Sequence, residues 1–265
     1  MSAATLVVSL LAAACSADQP VDSGTPTSAD DGTTFVEGLP RWQPLDGLEV
    51  PRDDFGTVVI DDEIWVLGGM TGDRGNRLDT IEVLDTTTGQ WRLSEVRLPE
   101  GLASVEAAAM GTDIYVFGGL DARSRPSDFA AVLDTETGDW RRLPPLPVAR
   151  YSHTVTAYDG RIHVIGGEGA AGTVEQVDVF DPATRSWSTG TPMPHARGSH
   201  DAVAADGVIY VLGGWLAAEA SDLVQTYDPA TGEWTDEEAL PEPMSRAGAT
   251  YVDGRLWVSL HQSSY

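Results

Sequence analysis

The chain has no lysine: all sixteen basic residues are arginine, set against 41 Asp and Glu, for a net charge of −25. It therefore lacks the positive stripe that nucleic-acid backbones and anionic membrane surfaces require, and both are excluded as direct partners. Cysteine occurs once, as Cys15, so no intramolecular disulfide and no four-cysteine zinc or iron–sulfur site can form. There is no Ser-His-Asp spacing, phosphate loop, dinucleotide fingerprint or zinc-protease helix motif. What is present is 265 residues with 42% hydrophobic content, enough for one large core or two modest ones.

The uncharged run Ala3 to Ala14 has 12 residues, short of the ~20 that span a bilayer but suited to the apolar part of a secretion signal. It ends in Leu11-Ala12-Ala13-Ala14-Cys15, which resembles a bacterial lipobox, where the signal is cut before a cysteine that takes a diacylglyceryl chain. An ordinary signal peptide or a buried helix is the alternative. Ala12 stands where Leu is more usual, and no Lys or Arg precedes the run; a missing upstream start would account for the second departure. Residues 16–33 are rich in Ser, Thr, Asp, Gly and Pro and cannot bury enough to order themselves. They form a tether with a mean reach of roughly 24 Å. The expected organisation is a signal over 1–15, the tether, and a globular domain over 34–265, exported and lipid-anchored at Cys15.

That domain is built from repeats. Glycine doublets stand at Gly68-Gly69, Gly118-Gly119, Gly166-Gly167 and Gly213-Gly214, each after an apolar run such as Ile-Trp-Val-Leu or Ile-Tyr-Val-Phe. About twenty residues after each comes Asp-x-x-Thr-x-x-Trp, ending at Trp91, Trp140, Trp187 and Trp234; Trp42 lies one period before Trp91. The doublet, the Asp turn and the Trp together resemble the kelch motif over the whole of 34–265. The resemblance implies an all-β propeller of four-stranded blades around a channel. The residues agree. Ile64/Trp65, Ile114/Tyr115 and Ile209/Tyr210 put apolar side chains on both faces of one strand, which stacked blades require. Glycine permits positive φ and close backbone approach, Asp suits an Asx-turn, and each Trp suits burial between blades.

The last unit, from Arg246, has two inner strands, and the first, through Trp42, has an outer strand or two. Joined, they make one composite blade, so about five blades are expected, with the N-terminus closing the ring. In the closing unit Leu260-His261 replaces the doublet, and the distance from Arg to the Asp-Gly turn falls from nine residues (Arg197 to Asp206) to seven (Arg246 to Asp253). A ring truncated at its C-terminus is the competing account.

Propeller ligands bind at the channel mouth. Arg52, Arg150, Arg197 and Arg246 each open an innermost strand, and His153 and His200 follow the middle two at +3. An arginine ring would hold a carboxylate, sulfate or phosphate; alternatively each arginine pairs with an acid of a neighbouring blade. No carboxylate at ligand spacing accompanies the histidines, so neither a metal nor any other cofactor is expected. The segments after the doublets differ from blade to blade, which suits recognition. Trp215, just past Gly214, would stack on a sugar ring or pack beneath its own loop.

The kelch family includes galactose oxidase, whose tyrosine–cysteine cofactor cannot form here because Cys15 lies in the signal. It also includes sialic acid mutarotases, which need Arg for the carboxylate and an acid–base residue; Glu168 and Glu106 are possible bases. Two readings follow: a non-catalytic module for an unknown protein or glycan, or a small sugar-modifying enzyme of the mutarotase type. A perturbed acid or base beside the arginine mouth would favour the enzyme.

Overall fold

The computed structural model describes residues 45–72, 75–246 and 248–259. Cys15, the tether, Trp42 and Leu260-His261 lie outside the described residues. All regular structure among those described is β. Four sheets of four antiparallel strands follow one another. Blade I comprises Gly56–Ile60, Glu63–Leu67, Thr80–Asp85 and Gln90–Arg97. Blade II comprises Glu106–Met110, Asp113–Phe117, Ala130–Asp134 and Asp139–Arg142. Blade III comprises Thr154–Tyr158, Arg161–Ile165, Val177–Asp181 and Ser186–Thr189. Blade IV comprises Asp201–Ala205, Val208–Leu212, Val224–Tyr227 and Trp234–Asp236. A closing hairpin, Gly248–Val252 with Arg255–Ser259, follows blade IV.

Innermost strands neighbour one another in chain order, from blade I round to the hairpin. The architecture is the all-β propeller expected from the repeats. Its fifth unit is two-stranded among the described residues, and the strand expected to complete it falls outside them.

The core is divided among the blade interfaces. One apolar cluster joins blades I and II, one joins II and III, and one joins III and IV. The aromatic of each second strand faces the following blade: Tyr115 packs at a tilt against Phe180, and His163 edge-on to Tyr227. Burial there tracks the size of that neighbour. Trp65 and Tyr115 are 7% exposed, whereas Tyr210, facing a hairpin instead of a sheet, is only half-buried, and Trp257 is 52% exposed. The expectation that Ile209/Tyr210 is buried on both faces therefore holds for Ile209 alone. The motif tryptophans are half-buried, and those of blades III and IV bridge backwards. Trp187 lies edge-on to Phe117 and donates to Pro144 O at 2.9 Å, and Trp234 donates to Thr191 O at 3.1 Å.

Each doublet is a blade-to-blade joint. The first glycine sits at φ 60–64° and the second at 94–101°. The second glycine's N–H donates to the next blade's entry segment: Gly69 to Leu102 O, Gly119 to Arg150 O, Gly167 to Arg197 O and Gly214 to Met244 O, at 2.8–3.0 Å. A Cβ on Gly166 would come within 2.7 Å of Arg197 O, so side chains are excluded by space as well as by φ. The motif aspartates make the expected Asx-turns, as Asp85 Oδ1 does with the Thr87 and Thr88 amides.

Candidate functional site

The arginine ring does not exist at the mouth. Arg52, Arg150 and Arg197 have buried side chains that run into their own blades. Arg52 pairs with Glu82 at 2.5 Å and donates to Gly68 O and Thr80 O. Arg150 pairs with Asp178 and donates to Gly166 O and Gln176 O. Arg197 donates to Gln225 Oε1 at 2.6 Å, and Gln225 in turn donates to Asp236. Each arginine thus ties the entry segment to the third strand, and in blades I and III it also caps the first doublet carbonyl. Burial lowers all three guanidinium pKa values, that of Arg197 to about 10. The partner of each lies in its own blade and not in a neighbouring one.

His153 and His200 are also interior. Their rings sit beneath Gly118 and Gly166, where a glycine Cβ would clash with them. Burial and the adjacent arginines push both pKa values down, that of His200 to about 3, so both rings are neutral. They are packed between the blades.

Arg246 is the exception because it stands two positions past the one that Arg52, Arg150 and Arg197 occupy. Met244 O accepts from Gly214 N–H as Arg150 O does from Gly119 N–H, so Met244 occupies the arginine position. Counted from Met244, the distance to Asp253 is again nine residues. Arg246 instead belongs with Asp54, Ser104, Ser152 and Ser199, five non-glycine residues at φ 46–55° that recur two positions after each blade entry. Their backbones link round the mouth: Ser104 N–H donates to Asp54 O, Ser199 N–H to Ser152 O and Arg246 N–H to Ser199 O. Arg246 Nη1 lies 3.4 Å from Asp54 Oδ1, joining the closing hairpin to the entry of blade I.

Inside this ring the channel is acidic. Glu106 begins the inner strand of blade II and Asp201 that of blade IV. Burial, with the charges of Asp201 and Asp54, pushes the Glu106 carboxyl up to about 8. Burial raises Asp201 to about 6, although it accepts from the Ala202 and Ala249 amides.

On the same face, the residues after the doublets fold back in short hairpins: Glu168–Gly169 with Gly172–Thr173, and Trp215–Leu216 with Glu219–Ala220. Between them is an open cleft of about 450 Å³ lined by Glu168, Thr173, Trp215 and Ala218. Trp215 is 40% exposed and pairs with Gly198, as Glu168 pairs with Tyr151, so it lies within the repeat register. Tyr151 O–H donates to Glu168 Oε2 at 2.6 Å, and this bond helps push the phenol up to about 12. The structure thus unites Trp215 with Glu168, and Arg246 with Asp54, and withdraws the other proposed ligand-binding side chains. The sequence reading did not find the arginine partners, although a signal was present: Glu82, Asp178 and Gln225 all stand three residues before the motif aspartate, where blade II, without an arginine, has Ala131.

This geometry has relatives. Residues 51–259 match the KLHDC2/KLHL20/DRC7 Kelch-repeats domain. The Kelch-like protein terF of Aspergillus terreus is 30% identical over 132 residues, 46% of this chain and 28% of that protein. Human Kelch-like protein 38 is 32% identical over 135 residues, 48% of this chain and 22% of that protein. The N-(sulfonatooxy)prop-2-enimidothioate sulfolyase of Thlaspi arvense is 28% identical over 133 residues, 47% of this chain and 38% of that protein. The chain therefore matches less than two fifths of the length of each. The solved structure of YjhT superposes with a TM-score of 0.68 at 18% identity, over 81% of this chain and 74% of that one. With the doublet joints and Asx-turns repeated in four blades, and a family match spanning them all, the chain belongs to the kelch-repeat family.

Proposed function

We propose that this propeller is an exported, lipid-anchored, non-catalytic module that binds a protein or glycan through the face carrying the channel mouth and the post-doublet hairpins. The carrying observation is a division of labour. The repeated arginines and histidines are used inside the blades, while the face is left with exposed Trp215, Glu168 and hairpins that differ between blades. The apolar leader, Cys15 and the polar tether support export and anchoring. The test is photo-crosslinking on cells, with a photoreactive residue at Leu216 on this face or at Thr87 in a turn at the opposite end. Crosslinks from 216 and none from 87 are expected; the reverse pattern overturns the reading. For the anchor, incorporation of an alkyne fatty acid is expected in the wild type and lost in Cys15→Ala.

A sugar-modifying enzyme is the second reading, and Glu106, an acid held protonated near neutral pH, is the observation in its favour. The mouth argues against an acidic sugar, because Asp53, Asp54 and Asp201 oppose a carboxylate and Arg246 is already beside Asp54. No acceleration of sialic acid anomer interconversion, followed by NMR, is expected; acceleration lost in Glu106→Gln would restore the enzyme.

A further inference from the structure

The cleft between the hairpins of blades III and IV has a chemistry more specific than a general binding face. Its carboxylate is fixed but not neutralised. Glu168 is half-buried and accepts from Tyr151 O–H, and it takes part in none of the ion pairs among the described residues. Room for it comes from Gly198, where a Cβ would stand 3.1 Å from Glu168 Cγ; the equivalent positions in the other blades are Asp53, Ala103 and Tyr151.

The opposite wall is an indole. Trp215 stands where blades I and II carry the half-buried Met70 and Leu120, and it is both larger and more exposed. The turn holding it is strained. Ala217 and Ala218 sit at φ 49° and 71°, the left-handed region that glycine or asparagine occupies at lower cost. Both alanines line the cleft, and among the described residues no basic side chain does.

We propose that this cleft holds the cationic side chain of a partner segment, an arginine or lysine, between the Trp215 indole and the Glu168 carboxylate. Each wall attracts a cation independently, the ring through its π face and the carboxylate through a charge-assisted hydrogen bond. An acidic group is repelled by Glu168. A neutral sugar would gain stacking but leave that charge uncompensated. The volume lies within the ordinary range of ligand cavities. This inference rests on the loop-face reading and narrows it to one contact.

The test is two-dimensional NMR on the full chain with ¹⁵N-labelled tryptophan, the Trp215 indole signal being assigned by its loss in Trp215→Phe. The probes are N-acetyl-arginine amide, N-acetyl-lysine amide, N-acetyl-glutamate amide and methyl glucoside. A saturable shift of the Trp215 signal with the two cations alone is expected. Glu168→Gln keeps an acceptor for Tyr151 O–H and should weaken that binding at least tenfold with an unchanged melting temperature. A shift with methyl glucoside alone, equal cation binding in Glu168→Gln, or no shift with any probe overturns the proposal. If the cation response is absent while crosslinks from position 216 persist, this contact falls and the loop-face reading stands; loss of both removes both.

Discussion

Blade II differs from blades I, III and IV in one coherent respect. Three blades bury an arginine from the entry segment against a polar residue of the third strand: Arg52 with Glu82, Arg150 with Asp178, Arg197 with Gln225. Blade II has Leu102 and Ala131 at the corresponding places, both fully buried. The two positions have changed together, charge and partner both giving way to apolar groups, and the blade keeps its four strands and its doublet joint. The comparison shows that the ion pair is an alternative way to fill the blade, and not a requirement of the fold. Physically this is expected, because the attraction between buried charges is largely offset by their desolvation, and an apolar pair of suitable shape serves as well. A lone charge does not.

The largest effect should therefore come from splitting a pair. Asp178→Ala leaves Arg150 buried without its carboxylate and should cost about 3–5 kcal/mol in urea unfolding. The double variant Arg150→Leu with Asp178→Ala copies blade II and should recover most of that loss; a double variant as unstable as the single one would break the comparison. Leu102→Arg should destabilise blade II for the same reason, since Ala131 offers no acceptor.

The doublet joint, common to all four blades, comes next. Gly166→Ala forces a side chain into the left-handed region and against Arg197 O and should cost about 1–3 kcal/mol or more. Gly118→Ala in blade II should cost a similar amount, because the joint does not depend on the arginine. A much smaller cost in blade II would mean that joint and ion pair are coupled.

Blade II also carries Glu106 at the channel, a position filled by Asp201 in blade IV and by Gly56 and Thr154 in blades I and III. The Glu106 carboxyl is raised to about 8 in the folded state, so the native protein holds a proton that the unfolded chain has released. The corresponding stability is complete below the unfolded pKa of ~4.3 and is lost as pH rises through about 8. His153 and His200 have lowered pKa values and act in the opposite sense, costing stability as pH falls below their unfolded value. The difference in melting temperature between the wild type and Glu106→Gln isolates the carboxyl. The variant should gain on the wild type steadily from pH 5 to pH 8.5, and a difference independent of pH would contradict the assignment. The smallest effect belongs to the rim. Arg92 on the outermost strand of blade I pairs with Glu63 of its second strand, both partly solvent-exposed, and Arg92→Ala should change stability by less than about 1 kcal/mol.

Much of this molecule was legible beforehand. The doublets, Asx-turn aspartates and tryptophans identify blades because each performs a local task that any copy of the repeat must repeat: a backbone approach, a hairpin, a bridge to the previous blade. Repetition fails where the question is which way a side chain points. Arg150 and Arg197 open innermost strands and so stand close to the channel in sequence logic, yet they turn inward because Asp178 and Gln225 sit across the blade some 28 residues later. Arg246 looks like a fourth copy and is a different position, since Met244 makes the joint to Gly214.

The sequence by itself determined the repeat, the blade boundaries and the acidic, lysine-free character of the surface, because these depend on periodic local geometry and on composition. The tertiary structure alone decided which charges are consumed and which are presented. Burial and pairing are set by residues brought together from separate strands and neighbouring blades, and only that packing leaves Glu168 unneutralised beside an exposed Trp215 while hiding the arginines that composition would have placed on view.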